Sequence, residues 1–175
     1  MYKKKLEKIG AKAFKKLKNN KVPDLIEIEK KLNMEFSNTH KRILSDYKSS
    51  IIFTNDIRYK PNIQTPMTTS DGYQSLYILY GIIDESKSLL KKNKQYKNIL
   101  PKFLITIGET LSEDQICLDI KNGRILYWYH EAFSEDNQVF EIANSFEEFI
   151  LKLEEDNEDI DIEDYIIDSE SYIDF

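Results

Sequence analysis

Residues 114–131 read DQICLDIKNGRILYWYHE and carry the clearest folding signal in the chain. Residues 115–121 alternate apolar and polar side chains, and residues 124–130 return as a second predicted strand. Between them, Asn122-Gly123 is typical of a two-residue type I′ turn, because both positions of that turn need a positive φ. The segment therefore predicts a β-hairpin.

The predicted turn also fixes which side chains share a face of the hairpin. A two-residue turn pairs Ile120 with Ile125, Leu118 with Tyr127 and Ile116 with Tyr129. This face is entirely apolar or aromatic. Because helices bury their apolar side chains against one face of a sheet, we expect them to cover this one.

The opposite face of the hairpin combines polar side chains with one indole. It carries Gln115, Cys117, Asp119, Leu126, Trp128 and His130. A large aromatic side chain among polar neighbours is typical of the centre of a protein-binding surface. We therefore expect Trp128 to anchor a partner. The alternative is that residues 55–74 or the C-terminal segment cover Trp128.

Helices are predicted on both sides of the hairpin in the sequence. Ser145 begins a capping box, and the side chains that follow have the spacing of a core-facing helix. We expect Phe146, Phe149 and Ile150 to pack on the apolar hairpin face. Earlier in the chain, Ser37 can cap a helix that runs to about residue 48. Helices, then strands, then a helix predict an α+β domain.

Composition narrows the class of protein. The chain has 175 residues, of which 41% are hydrophobic, and this suits one folded domain. A single cysteine, Cys117, excludes an internal disulfide, and two histidines far apart argue against a Cys/His metal site. No apolar run approaches the ~18 residues of a membrane span, and the start lacks the apolar centre of a signal peptide. We expect a cytoplasmic protein without metal or cofactor.

Charge is distributed unevenly along the chain. Residues 1–100 carry 21 Lys and Arg against 10 Asp and Glu, whereas residues 101–175 carry 4 against 21. Residues 1–21 predict a Lys-rich amphipathic helix, with one apolar stripe that extends to Leu17. Residues 154–175 contain eleven carboxylates and no basic residue. We expect them to form an acidic tail that is dispensable for folding and speeds association with a basic partner.

Blocks of the sequence resemble domains of the SUKH superfamily (Smi/Knr type). Residues 25–47, LIEIEKKLNMEFSNTHKRILSDY, resemble the two opening helices of these domains. Between residues 100 and 153, LPKFLITIGE, DQICLDIKNGRILYWYHE and IANSFEEFILKL resemble a strand, the hairpin and the closing helix. The resemblance covers residues 22–153. It implies an α+β fold in which a mixed or antiparallel sheet is flanked by N-terminal helices and a closing C-terminal helix.

For bacterial members, the resemblance implies immunity to a toxin, often a nuclease. Our interpretation is a non-enzymatic immunity protein, monomeric or weakly dimeric, that binds a basic cognate toxin and no nucleic acid. The expected partner-binding residues are Trp128, His130, Asp119 and Gln115, with an acidic rim of Glu113, Asp114 and Glu131. Two alternatives stay open. One is a regulatory scaffold of the same family, and the other is a metal-dependent nuclease built on Asp114, Asp119 and Lys121.

Overall fold

The structure is a computed structural model that describes residues 1–15, 22–134 and 138–157. Its described helices are α1 (Tyr2–Lys8), α2 (Leu25–Leu32), α3 (Asn38–Tyr47), α4 (Leu89–Tyr96) and α5 (Phe146–Lys152). Its described strands are β1 (Ala11–Ala13), β2 (Ile51–Tyr59), β3 (Gln74–Leu79), β4 (Leu104–Glu109), β5 (Gln115–Asp119), β6 (Ile125–Trp128), β7 (Val139–Ala143) and β8 (Glu154–Glu155).

These strands form one sheet in the order β1-β2-β3-β4-β5-β6-β7, and β8 pairs with β2 off this path. Each pair of neighbouring strands in the sheet is antiparallel. The α+β prediction is therefore confirmed, and the sheet is antiparallel rather than mixed. Among the described residues, no helix combines the length and the apolar character that a bilayer span requires.

Side-chain caps set the starts of α3 and α5. Ser37 accepts a hydrogen bond from the His40 N–H at 3.3 Å, and Ser145 accepts one from the Glu148 N–H at 3.1 Å. Both caps were predicted from the sequence. Each satisfies a backbone donor that the first turn of a helix leaves without a partner inside the helix.

The β5–β6 hairpin has a longer turn than the sequence predicted. Ile116 lies opposite Tyr127, and the Asp119 N–H donates to the Arg124 carbonyl at 2.9 Å, so residues 120–123 form a four-residue turn. The predicted register is wrong by two residues. Because side chains alternate with a period of two along a strand, this even shift leaves the strand side chains on their predicted faces.

The apolar hairpin face packs in the main core, as predicted. The buried members of the predicted set are Ile116, Leu118, Tyr127, Phe146, Phe149 and Ile150. Ile120 belongs to the turn instead of a strand and is 37% exposed, so its predicted burial is wrong. Tyr129 lies just beyond β6, where it is half-buried and packs against the core.

The N-terminal segment folds as a short helix followed by a strand. Helix α1 ends at Lys8, and Gly10 then adopts a φ of 79°. A Cβ at Gly10 would lie 2.2 Å from the Thr54 hydroxyl oxygen, so glycine permits the close pairing of β1 with β2. The single helix predicted over residues 1–21 is therefore not formed, and the predicted stripe position Leu17 lies outside the described residues.

The sheet also extends into the segment that was predicted to be an acidic tail. Residues Glu154–Glu155 form β8, which pairs with Ile57 and Arg58 of β2. The expectation that the tail is dispensable for folding thus conflicts with the place of β8 in the sheet. Residues 158–175 lie outside the described part of the chain.

Three loops meet at one end of the sheet because the strands that they connect are antiparallel neighbours. They are residues 60–73 after β2, residues 110–114 after β4 and residues 129–134 after β6. The first loop is joined to β7 by a hydrogen bond from the Ile63 N–H to the Glu141 carbonyl at 3.0 Å. We call these three segments the loop end.

Candidate functional site

Trp128 lies in a second apolar cluster and is not exposed. Its side chain is 4% exposed, and the ring of Tyr96 meets the indole edge to face with centroids 5.9 Å apart. The buried members of the cluster are Tyr96, Leu100, Leu104, Cys117, Leu126 and Trp128. The C-terminal end of α4 and the chain that follows it, rather than residues 55–74, pack against Trp128. The prediction that Trp128 is an exposed anchor is therefore wrong.

Gln115 is also buried, and its side chain joins several strands. Its amide oxygen accepts hydrogen bonds from the hydroxyls of Tyr80 at 2.9 Å and Thr106 at 2.8 Å. Its amide nitrogen donates to the Tyr96 hydroxyl at 3.2 Å and to the Glu113 carbonyl at 2.6 Å. Each polar atom of the side chain is thus used inside the protein, which leaves Gln115 inaccessible to a partner.

Glu109 centres a buried charged network that the sequence did not indicate. Its carboxylate accepts hydrogen bonds from Lys92 at 2.8 Å, from the Tyr80 hydroxyl at 2.6 Å and from Lys87. Burial alone would raise the pKa of Glu109, but the bonds from Lys87, Lys92 and Tyr80 outweigh it and lower that pKa. These residues are distant in sequence, so no local pattern signals the network.

Asp114 organises the loop end from a fully buried position. Its carboxylate lies 2.6 Å from His130 Nδ1, accepts the His130 N–H at 3.0 Å and accepts the Ser112 hydroxyl at 2.9 Å. The Tyr127 hydroxyl also donates to it. Burial is the largest cause that raises the pKa of Tyr127 well above its usual value, and the hydrogen bond to Asp114 is the next largest. Asp114 therefore positions its neighbours and is not itself a surface residue.

Asp119 lies at the opposite end of β5 from Asp114. It is buried, and its carboxylate accepts the Lys121 N–H at 2.8 Å across the hairpin turn. A five-residue strand separates the two carboxylates by ~16 Å, too far for them to share one metal ion. The nuclease arrangement of Asp114, Asp119 and Lys121 is thus not brought together. In residues 1–15, 22–134 and 138–157, no group of three or more His, Cys, Asp or Glu side chains is placed to hold a metal.

Exposed apolar side chains gather at the loop end. The Phe133 ring is fully exposed, and a cavity of about 390 Å³ lies beside it. The residues that line this cavity are Pro66, Tyr129, Ala132, Phe133 and Phe140. Leu111 and Met67, on the two neighbouring loops, are exposed as well. Phe133 was not among the predicted site residues, although an aromatic residue within the polar run HEAFSEDN was an available signal.

Three of the predicted partner-binding residues lie at the surface of the loop end. Glu113 and Glu131 are exposed carboxylates, and the His130 side chain is 38% exposed. The other four, Gln115, Asp119, Trp128 and Asp114, are buried. A role in partner binding stays a prediction for Glu113, His130 and Glu131. The loop end thus combines an apolar centre with acidic neighbours.

The fold and the loop end define an α+β domain with an antiparallel sheet and an exposed, acidic and aromatic surface. The chain belongs to the SMI1/KNR4 family (SUKH-1), whose model matches residues 23–152. It is 34% identical over 149 residues to the SPbeta prophage-derived uncharacterized protein YokK of Bacillus subtilis (strain 168). That match covers 80% of this chain and 78% of the relative. The resemblance found in the sequence is thereby confirmed.

Proposed function

We propose that this chain is an immunity protein that binds and neutralises a cognate bacterial toxin in the cytoplasm, without catalysing a reaction. The observation that carries the proposal is the exposed Phe133 ring beside a cavity at the loop end. An exposed apolar patch with polar neighbours is typical of a protein interaction site. Membership of the SMI1/KNR4 family supports this reading, because toxin immunity is a role of its bacterial members.

The chemistry of the loop end favours a partner with a basic surface. Phe133 offers a large ring whose burial costs little conformational entropy, which suits the central anchor of an interface. The carboxylates of Glu113 and Glu131 attract cations and would raise the association rate more than the final affinity. In this proposal Phe133 takes the role that the sequence analysis gave to Trp128.

Hydrogen bonds tie the segments of the loop end to neighbouring parts of the fold. The Asp114 carboxylate ties the β4–β5 loop to His130 and Tyr127. In the β2–β3 loop, the Ile63 N–H donates a hydrogen bond to the Glu141 carbonyl of β7. Bonds that already hold these segments in the free protein reduce the entropy that is lost when a complex forms.

The test begins with a search of the neighbouring genes for a toxin domain, and the domain found there is used as the candidate partner. Co-expression should restore the growth of cells that produce that toxin, and calorimetry should give a saturable, stoichiometric complex. Phe133→Ser should weaken the complex by about 2 kcal/mol, roughly thirtyfold. The matched control is Leu151→Ser, which removes an exposed apolar side chain from α5. The proposal would be contradicted if the Phe133 variant bound the toxin with wild-type affinity. It would also be contradicted if the wild-type chain neither bound the toxin nor protected the cells.

A further inference from the structure

A groove lies between α2 and α4, away from the loop end. Its cavity volume is about 680 Å³, and the chain that follows α4 forms one of its walls. Its apolar lining includes Leu32, Leu90, Leu100 and Leu104. Ile99 stands beside Leu100 and is exposed. The groove therefore offers a concave apolar surface large enough for several side chains of a partner.

Lysines surround this apolar lining. They are Lys31, Lys94, Lys97 and Lys102, and the described lining residues include no carboxylate. Lys31 pairs with Glu27 at 2.7 Å. Within the described ranges, the other three have no ion-pair partner. We call this site the lysine groove.

The charge of the lysine groove contrasts with that of the whole chain. The protein has a formal net charge of −6, yet four cations converge on this one cavity. Cations held close together repel one another, and a bound anionic partner relieves that repulsion. The apolar lining gains free energy only when it contacts apolar groups. A ligand that carries both carboxylates and apolar side chains therefore matches both the lysines and the apolar lining.

The groove and the loop end lie at opposite ends of β4. Leu104, at the start of the strand, lines the groove, whereas Glu109 ends the strand next to the loop end. A partner in the groove therefore need not contact Phe133. The two surfaces differ in charge as well as in position.

We propose that the lysine groove binds an acidic segment of a partner protein, with large apolar side chains of that segment seated between α2 and α4. Carboxylates of the segment pair with Lys94, Lys97 and Lys102 at the rim. Charge complementarity selects the segment, and burial of its apolar side chains stabilises the complex. A double-stranded nucleic acid would meet the same lysines with its phosphates, which would leave the apolar lining exposed to water.

The test uses the full chain and a fluorescein-labelled amphipathic peptide made only of glutamate and leucine. Fluorescence anisotropy should report saturable binding. Lys94→Glu combined with Lys97→Glu should weaken it by at least about tenfold. The matched control, Lys3→Glu combined with Lys4→Glu, makes the same charge change on α1 and should alter affinity less than about twofold. Equal losses in the two double variants would overturn the proposal, because the attraction would then be general.

Two further arms separate apolar recognition from charge alone. Asn98→Trp places a ring in the groove without a change in charge and should also weaken binding by about tenfold. A peptide with serine in place of leucine should bind much more weakly than the original. Undiminished binding of the serine peptide, or tighter binding of single-stranded DNA, would overturn the proposal. Circular dichroism melting checks that each variant is folded. The groove variants leave the loop end unchanged, so growth protection by these variants tests the loop end separately.

Discussion

His130 Nδ1 lies 2.6 Å from the Asp114 carboxylate, and this contact joins the β4–β5 loop to the chain that leaves β6. The same carboxylate accepts the backbone N–H of His130 and the hydroxyl of Tyr127. The direction of the chain is therefore fixed just before it reaches Phe133. A buried acid thus determines where the exposed ring is presented.

We expect Asp114→Ala to lower the free energy of unfolding by about 3 kcal/mol or more. The change leaves the Tyr127 hydroxyl buried without its acceptor, and an unsatisfied buried polar group is costly. Urea denaturation followed by circular dichroism measures the loss. Glu113→Ala, at the exposed neighbouring position, should change stability by no more than about 0.5 kcal/mol. Similar stabilities for the two variants would refute this role of Asp114.

Trp128→Ala should destabilise the fold by about 3 to 5 kcal/mol, because it removes a large side chain from the cluster beneath α4. Far-UV circular dichroism in urea is the suitable measurement, since Trp128 is the only tryptophan of the chain. Phe133→Ala removes an exposed ring and should leave stability within about 0.5 kcal/mol of wild type. A Trp128 variant that unfolds at the wild-type urea concentration would contradict the burial.

The faces of the hairpin could be predicted from the sequence, but its register could not. Faces follow from the alternation of side chains, which is a property of the strand itself. Register depends on the turn, and Asn122-Gly123 suggested a two-residue turn. In the structure the Asp119 carboxylate accepts the Lys121 N–H, and Gly123 adopts a φ of 76°, so the turn takes four residues.

The candidate site was harder to predict because burial of the second face depends on tertiary packing. Residues 84–98 are rich in lysine and polar side chains, so nothing local indicated that Tyr96 covers Trp128. The acidic residues Glu113 and Glu131 were identified because the exposed loops follow directly from the hairpin. Phe133 was missed because one apolar residue in a loop forms no periodic pattern.

Deletion of residues 154–175 should lower the free energy of unfolding by about 1 to 3 kcal/mol, because it removes β8. A chain that ends at Asn157 retains the β2–β8 pairing and should not show this loss. The chain that ends at Asn157 keeps the hydrogen bond from the Asp156 N–H to the Asp56 carbonyl at 2.9 Å and the pairing of Glu155 with Ile57. Each backbone bond contributes about 0.5 to 1.5 kcal/mol. Thermal melting of the two truncated chains compares them directly. Equal melting temperatures would mean that β8 adds nothing to the sheet.

His40 should make the protein less stable in mild acid. Its ring is buried between Phe36 and Phe146, and this burial lowers its pKa from 6.5 to about 3, although the negative charge of Glu147 partly opposes the shift. Between these two pKa values the unfolded chain binds the extra proton. Stability therefore falls as the pH decreases from 6.5 towards 3.

The loss that His40 causes between pH 7 and pH 5 should be about 2 kcal/mol, because each pH unit below 6.5 contributes ~1.4 kcal/mol. His40→Phe keeps an aromatic ring beside Phe146 and removes the titrating group. Urea denaturation of both proteins at the two pH values isolates the effect, since the carboxylates are the same in each. The variant should lose about 2 kcal/mol less than wild type over this interval. If wild type and His40→Phe lost the same amount of stability between pH 7 and pH 5, His40 would accept its proton in the folded protein as readily as in the unfolded chain.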